Sequence, residues 1–262
     1  MKIEVLEMSD RFAKFVLSDA SIAFANGLRR AMLAEVPTLA ITEVNLYNNT
    51  SVLYDEQLGL RLSLIPIKAN TDELVPKEEC MCDDNCPACE VSMTLSAEGP
   101  KMVYSGDFVS SDPEIFPSDE NIPIVELKDG QQLFLEALAH VGHGKNHSRW
   151  QAGIACGYKT YPVVTFHNCD KCRSCIEACP KDIIQMGPSG AEIQDNDMLE
   201  CTLCRSCADV CGINAITVDQ DERAFIFNVE SDGSYSAEEL IQQASKALKK
   251  KSDGMLEVLE HF

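Results

Sequence analysis

CDKCRSCIEACP at residues 169–180 recurs 32 residues later as CTLCRSCADVCG at residues 201–212. Each copy has the spacing Cys-x2-Cys-x2-Cys-x3-Cys, and the flanks repeat as well, since Ile184 corresponds to Ile216 at the same offset. Three closely spaced thiolates bind one face of an iron–sulfur cubane, and the fourth cysteine of each run reaches the cluster of the other run. The doubled motif therefore predicts two [4Fe–4S] clusters bound by one compact segment.

The ligand sets follow from this exchange of the fourth cysteine. We expect the first cluster to bind Cys169, Cys172, Cys175 and Cys211, and the second to bind Cys201, Cys204, Cys207 and Cys179. Zinc, which also binds soft thiolates, or an empty site is the alternative. The doubled run with Pro180 after its fourth cysteine is typical of ferredoxin-like domains. Gly212 stands at the equivalent place in the second copy, which leaves the local turn there open.

A second cysteine group lies between residues 80 and 89. Cys80, Cys82, Cys86 and Cys89 have the spacing Cys-x-Cys-x3-Cys-x2-Cys, and four thiolates at this spacing can close a tetrahedral structural zinc site. The neighbouring residues are mostly acidic or polar, so metal binding would supply the folding energy of this loop. We predict one zinc ion here. A site that is empty or holds iron, and a disulfide pair, are the alternatives.

The composition restricts the classes of partner. The chain has 22 Lys and Arg against 42 Asp and Glu, a formal net charge of −20. Nucleic-acid backbones are bound by clustered basic residues, so no direct nucleic-acid binding is expected; the acidity indicates a solvated surface or a match to basic partner proteins. The N-terminus lacks the pattern of a signal peptide and no apolar run is long enough to span a bilayer. We therefore expect a cytoplasmic protein without membrane contact.

The cysteine count agrees with that compartment. Thirteen cysteines in a reducing environment indicate metal or cluster binding rather than disulfides. Twelve belong to the three groups above, and Cys156 is expected to be a buried structural thiol.

The rest of the chain predicts a mixture of helices and strands. The periodicity predicts strands in residues 3–17, 161–166 and 224–229, helices in residues 22–33 and 129–140, and strands with a short helix in residues 41–68. Ser236 and Glu239 have the spacing of a capping box that opens a C-terminal helix. The apolar stripe of that helix is Leu240, Ile241, Ala244, Ala247 and Leu248, and Lys249 to Lys251 are expected to complement the negative end of its dipole.

No catalytic site is recognised. His140, His143 and His147 have helical spacing, but Gly142 and Gly144 would interrupt such a helix, so we interpret this stretch as a structured loop rather than a metal site. Nucleophile, phosphate-binding and paired-acid motifs are not found, and no catalytic residue is assigned.

Three further segments resemble the alpha-type subunits of DNA-directed RNA polymerase. They are NGLRRAMLAEVP at residues 26–37, DEQLGLRLSLIPI at residues 55–67 and GKNHSRW at residues 144–150. The spacing from Cys80 to Cys89 is similar to the zinc loop of the archaeal D subunit and of the third-largest subunit of eukaryotic polymerase II. The ferredoxin-like insert resembles archaeal D subunits in particular. The resemblance covers essentially the whole chain.

The resemblance implies an α+β fold in three parts. Residues 1–40 and 222–262 would form a discontinuous alpha-type dimerisation domain. Residues 41–166 would form an inserted, mostly-β domain with the zinc loop, and residues 167–221 a ferredoxin-like domain with both [4Fe–4S] clusters.

The resemblance also implies a non-catalytic assembly subunit of DNA-directed RNA polymerase, a nucleotidyltransferase. The chain would pair with the small alpha-like L subunit through the helix near residues 22–35 and the C-terminal helix, burying Leu28, Met32, Leu240 and Leu248 against it. This heterodimer would nucleate assembly by joining the subunits N and P and the large catalytic subunits. The clusters would stabilise the fold and make assembly redox-sensitive.

A ferredoxin-type electron-transfer protein is the alternative function. It would need a redox partner and usually a nucleotide-binding domain, yet no Gly-x-Gly-x-x-Gly motif is present. Most of the chain also lies outside the cluster segment, which a simple electron carrier would not need.

Overall fold

Strands make up most of the regular structure, which a computed structural model describes for residues 1–82 and 86–260. The strands are β1 (Lys2–Met8), β2 (Phe12–Ser18), β3 (Pro37–Asn49), β4 (Ile67–Lys68), β5 (Val91–Glu98), β6 (Lys101–Tyr104), β7 (Val109–Ser110), β8 (Phe116–Pro117), β9 (Pro123–Leu127), β10 (Gln132–His143), β11 (Gly153–Phe166), β12 (Gln185–Met186), β13 (Ala191–Glu192) and β14 (Ile216–Ser231). The helices are α1 (Ile22–Ala34), α2 (Asp55–Ser63), α3 (Ser174–Ala178), α4 (Asp195–Met198), α5 (Ser206–Asp209) and α6 (Ala237–Glu260). The mixture is that of an α+β fold.

The chain divides into two compact units, each assembled from separate segments. The first comprises Met1–Leu6, Lys14–Ala25 and Gly157–Phe227. The second comprises Glu7–Ala13, Asn26–Cys156 and the chain from Asn228 onward. The three-part division by residues 1–40 with 222–262, 41–166 and 167–221 stays a prediction.

The second unit is built on a sheet with the strand order β3-β10-β5-β7. Its pairs are antiparallel, and β10 pairs with both β3 and β5 along most of its length. Side chains of β5 alternate between buried and exposed, so that Val91, Met93 and Leu95 face the core. Leu58 and Leu62 of α2 are fully buried in the same hydrophobic core. The strands and short helix predicted for residues 41–68 are confirmed.

The helix predicted for residues 129–140 is wrong, because this segment is the strand β10. Leu135, Leu138 and Ala139 have helical spacing, and the segment is rich in Leu and Ala, which favour helices. Alternate residues from Leu133 to Ala139 are nevertheless almost fully buried, which is the period of a strand. Hydrogen bonding to neighbours on both sides outweighs this local preference.

The first unit contains the larger part of a sheet with the order β1-β2-β14-β11. Its core is aromatic: Phe15 stacks on Phe227 with ring centroids 5.0 Å apart, and Tyr158 meets Phe225 edge-on at 5.4 Å. A separate small apolar cluster, which includes Val164, Ile184 and Ile216, lies among the cysteines of the doubled motif.

Helix α6 starts as predicted but runs further. The N–H of Glu239 donates to Ser236 Oγ at 3.2 Å, and Glu239 Oε2 accepts the N–H of Ser236 at 2.9 Å, which confirms the capping box. Lys249 to Lys251 lie in the middle of the helix rather than at its end, and Lys251 instead pairs with Glu35 at 2.5 Å. No helix in the described part of the chain combines the length and apolar character needed to cross a bilayer.

The expectation that Leu28, Met32 and Leu240 bind a partner is wrong. Their exposed fractions are 4%, 0% and 0%, so they belong to the core of this chain, and Leu248 is half-buried. The sequence pattern marks an apolar helix face but not what covers it. Here the fold itself covers the first half of the α6 stripe.

Candidate metal and cluster sites

The two cysteine runs follow the same backbone path. Left-handed residues recur in pairs at the 32-residue offset: Lys171 and Leu203, Arg173 and Arg205, Asp182 and Asn214. In each run, a short helix begins directly after the second left-handed residue, at the equivalent serine: α3 at Ser174 and α5 at Ser206. The left-handed conformation costs free energy for residues other than glycine. Its repetition at equivalent positions therefore indicates that both runs bind the same kind of group.

The turn after the fourth cysteine is also the same in both runs. The N–H of Asp182 donates to the carbonyl of Cys179 at 3.2 Å, and the N–H of Asn214 donates to the carbonyl of Cys211 at 3.0 Å. An added Cβ on Gly212 would meet no atom within 4 Å. The difference between Pro180 and glycine at this place therefore leaves the turn unchanged.

The structure brings Cys211 to the first three cysteines of the other run. Cys175 is buried, and this burial raises the pKa of its thiol. Cys169, Cys172 and Cys211 lie close enough to raise the pKa of Cys175 further by charge repulsion between thiolates. These four residues are the predicted first ligand set.

Backbone N–H groups point at two of these sulfurs. Cys169 Sγ accepts from the N–H groups of Lys171 and Ala191, each at 3.4 Å. Cys211 Sγ accepts from the N–H of Ala215 at 3.2 Å. Hydrogen bonds to sulfur stabilise thiolates and are a main influence on cluster potentials. The environment therefore suits thiolate ligands.

The second predicted set surrounds a cavity. Burial raises the pKa of Cys207, and charge repulsion from the nearby thiolates of Cys179, Cys201 and Cys204 would raise it further. All four cysteines line one small pocket. The remaining wall is largely apolar and is formed by residues that include Val164, Ile183, Ile184, Ile193 and Val218. Four soft donors around an apolar space fit an iron–sulfur cluster.

The cysteines of the loop at residues 80–89 have the geometry of a tetrahedral site. The Sγ–Sγ distances are 3.4 Å for Cys80–Cys82, 3.6 Å for Cys80–Cys86, 3.7 Å for Cys82–Cys89 and 3.6 Å for Cys86–Cys89. A zinc ion with bonds of about 2.3 Å requires edges of about 3.8 Å. A disulfide requires about 2.05 Å. Among the described residues, these four have ligand atoms within 4.8 Å of one another and so can share a metal ion.

The thiols of this loop influence one another strongly. The N–H of Ala88 lowers the pKa of Cys86 to about 7. The hydrogen bonds of Cys82 with Cys80 and Cys89 raise the pKa of Cys82 to about 12. Metal binding would therefore release protons from part of the set. Asp83, Asp84 and Asn85 lie outside the described residues.

Glu90 connects the cysteine loop at residues 80–89 to strand β10, a role that the sequence does not reveal. Its Oε2 lies 2.9 Å from His140 Nε2, and His140 Nδ1 lies 2.5 Å from Thr42 Oγ1. His140 therefore uses both ring nitrogens on protein groups. Glu90 directly follows Cys89, and an acidic residue beside a cysteine group is the one local signal that was available.

The loop predicted for the three histidines is only partly present. His140 and His143 lie in β10, and His147 lies in the turn that follows, where its Nδ1 accepts the N–H of Arg149 at 3.1 Å. The three side chains thus have different surroundings. Cys156 is buried as predicted, and this burial raises its pKa to about 11.

The chain matches the family model described as RNA polymerase Rpb3/Rpb11 dimerisation domain over residues 14–252. It is 58% identical to DNA-directed RNA polymerase subunit Rpo3 of Methanosarcina acetivorans, over 100% of this chain and 99% of that protein. It is 42% identical to Rpo3 of Archaeoglobus fulgidus, over 100% and 98%. It is 37% identical to Rpo3 of Halobacterium salinarum, over 98% and 97%.

These relationships confirm the resemblance to alpha-type polymerase subunits and do not favour a separate ferredoxin-type electron carrier. They also agree with the lack of an assigned catalytic residue, since the nucleotidyltransferase activity is that of the whole complex. The chain belongs to the Rpo3 family of archaeal, Rpb3-like alpha-type subunits, which serve in the assembly of DNA-directed RNA polymerase without being catalytic themselves.

Proposed function

We propose that this chain forms a heterodimer with the small alpha-like L subunit, and that the heterodimer nucleates polymerase assembly in the cytoplasm. It would then join the subunits N and P and the large catalytic subunits. The family model is a dimerisation domain, and Rpo3 proteins are subunits of the polymerase. The single observation on this chain that supports pairing is an uncovered apolar face at the end of α6.

The apolar face consists of four large side chains near the C-terminus. Met255, Leu256, Val258 and Leu259 are 66%, 56%, 59% and 55% exposed. With 3.6 residues per turn, Met255, Val258 and Leu259 lie on the face that Leu240 begins in the buried half of the same helix. Leu256 lies about one turn before Leu259, at the edge of this face. A contiguous exposed apolar patch of this kind marks a protein interaction site. We assign it to the L subunit because pairing with that subunit is what the family resemblance implies.

Co-expression with the candidate small subunit tests the pairing. We expect the two chains to elute together in size-exclusion chromatography at the mass of a one-to-one complex. The same complex should recruit the large subunits when they are added. A monomeric chain that remains monomeric in the presence of the small subunit would overturn the proposal.

We further propose that residues 167–221 hold two [4Fe–4S] clusters and that Cys80, Cys82, Cys86 and Cys89 hold one zinc ion. The two sets of four cysteines, one around Cys175 and one around Cys207, support the cluster assignment. The sulfur–sulfur distances in the loop at residues 80–89 support the zinc assignment. Each cluster would connect residues of both runs, so cluster binding and folding of this segment are coupled. A bound cluster would also supply a redox-active group, which would make assembly sensitive to oxygen.

Metal analysis of anaerobically purified chain is expected to find about eight iron atoms and eight sulfides, since two cubanes each contain four of both. It is also expected to find about one zinc. Loss of both Cys86 and Cys89 should remove the zinc and leave the iron. A chain that saturates at four irons, or zinc that survives this double substitution, would contradict the ligand sets.

Gly190→Ala is expected to damage the first cluster site. Gly190 has φ +144°, and a Cβ there would lie 2.6 Å from Cys169 Cβ. The strain should cost about 1–3 kcal/mol and displace a ligand. Iron content and thermal denaturation measure the effect. Gly212→Ala is the matched control, because Gly212 also adjoins a ligand but has free space at its Cβ. Equal iron content in the two variants would refute this role of Gly190.

A further inference from the structure

Two lysines from the sheet of the first unit hold the residues that lead into the second cysteine run. Lys159 of β11 donates from Nζ to the carbonyl of Leu199 at 2.6 Å and to the carbonyl of Cys201 at 2.9 Å. Lys14 of β2 pairs with Glu200 at 2.6 Å. Three consecutive residues are therefore fixed to two strands, and the third of them is the first cysteine of the run.

The first cysteine run is attached differently. Cys169 follows three residues after Phe166, where β11 ends, so the sheet delivers this run through the covalent chain. The N–H of His167 also donates to the carbonyl of Ala215 at 2.8 Å. The second run follows α4 and has no such direct continuation from a strand. This run is connected to the sheet at its other end, where β14 begins shortly after Cys211, so the lysine contacts attach the end that contains Cys201.

Lys159 is the stronger of the two contacts. Its ammonium is partly buried and makes two charge-assisted hydrogen bonds to fixed carbonyls. Glu200 is half exposed, at 50% of its side chain, and an ion pair in that environment contributes little. Lys159 also places a positive charge beside Cys201. The comparable lysine of the first run, Lys171, donates to Pro188 within its own loop at 2.7 Å.

We propose that Lys159 is a positioning residue specific to the second cluster. It holds the Cys201 end of the ligand set in place by its two carbonyl contacts, and its charge favours the reduced, more negative state of that cluster. This inference rests on the proposed two-cluster content. It implies that the two clusters, although their ligand runs are copies, differ in stability and in reduction potential.

The test uses two backgrounds that each keep one cluster. Cys172→Ser removes a ligand of the first cluster and leaves the second, and Cys204→Ser does the reverse. Lys159→Met, which keeps the length of the side chain but removes its charge, is placed in both. Iron release to a ferrous-iron chelator and the midpoint potential from EPR-monitored redox titration are measured under anaerobic conditions. Lys159→Arg and Lys14→Met are added as a conservative variant and a control.

In the Cys172→Ser background, we expect Lys159→Met to release iron about tenfold faster, the effect of losing a hydrogen bond to a charged group. The midpoint potential of that cluster should become more negative. Lys159→Arg should restore both properties in large part, and Lys14→Met should have a smaller effect. In the Cys204→Ser background, Lys159→Met should change neither property.

Equal release rates and an unchanged potential in the Cys172→Ser background would overturn the inference. An equal effect in both backgrounds would also overturn it, because a general loss of folding would then be the cause. Failure of the underlying cluster proposal is distinguishable, since the parent backgrounds would then lack the expected four irons each before Lys159 is changed.

Discussion

Replacing Leu256 and Leu259 by glutamate is expected to abolish the heterodimer with the L subunit and leave the fold of this chain intact. Both side chains are more than half exposed, so the free chain tolerates a charge at either position. In the heterodimer they would be buried without a partner of opposite charge. Each unpaired buried carboxylate costs several kcal/mol, and two together should exceed what a subunit interface tolerates.

Size-exclusion chromatography of the co-expressed subunits and thermal denaturation of the free variant measure the two parts of this result. Lys250→Glu is the matched control, because it adds a glutamate about two turns away on the opposite, polar face of α6. We expect that control to pair normally. An intact heterodimer from the Leu256→Glu, Leu259→Glu variant would place the interface elsewhere. Leu28 and Leu240 are unsuitable for this test, since both are in the core and a charge there would unfold the chain.

Removal of both clusters by Cys172→Ser and Cys204→Ser is expected to eliminate nearly all iron and to separate the two steps of assembly. Pairing with the L subunit should persist, and recruitment of the large subunits should fail. The segment at residues 167–221 has only a small apolar cluster of its own, which includes Ile184 and Ile216, and the cysteines pack against it. Without the clusters this core loses most of its cross-links.

The free energies of loop closure and of the subunit interface explain why pairing should persist when recruitment of the large subunits fails. A disordered segment of about 55 residues costs about 3–4 kcal/mol to close, from (3/2)RT ln n. The interface between obligate subunits is large and apolar and should outweigh that cost. We expect recruitment of the large subunits to depend instead on an ordered surface, which the disordered segment would no longer provide.

Native gel analysis of the variant and the wild-type chain, each with the full set of subunits, measures both steps. Thermal denaturation should show a lower midpoint for the variant, and exposure of the wild-type chain to oxygen should act in the same direction. Complete polymerase formed by the cluster-free variant as efficiently as by wild type would show that the clusters do not support assembly.

The cysteine groups are the clearest local pattern in the sequence. The geometry of a metal ion or cluster restricts the spacing of its cysteine ligands. That spacing is visible in a short stretch of sequence and does not depend on distant contacts. The sulfur positions from Cys80 to Cys89 fit the predicted metal site, and the left-handed pairs such as Arg173 and Arg205 extend the repeat to the backbone. The two cluster ligand sets stay predictions. The capping box at Ser236 was predictable for the same reason, since its two hydrogen bonds span three residues.

Elements whose state depends on distant partners were not predictable. The segment from Gln132 to His143 has helical spacing, yet it forms a strand because β3 and β5, which are remote in sequence, offer hydrogen bonds on both sides. His140 similarly finds Glu90 and Thr42, which lie 50 and 98 residues away. Pairing of this kind leaves no periodic signal in either segment alone.

Sequence alone therefore determined the family and the amphipathic character of the C-terminal helix and predicted the ligand groups, because each depends on residue types at short, fixed spacing. Tertiary structure alone decided which part of that helix is uncovered, Met255 to Leu259 rather than Leu240, since a stripe records where apolar side chains point and not what packs on them. It also decided that Lys159 reaches Cys201 across 42 residues. The residues next to Lys159 in the sequence do not indicate which group its side chain will contact. Only folding brings its ammonium group to the two carbonyls that accept its hydrogen bonds.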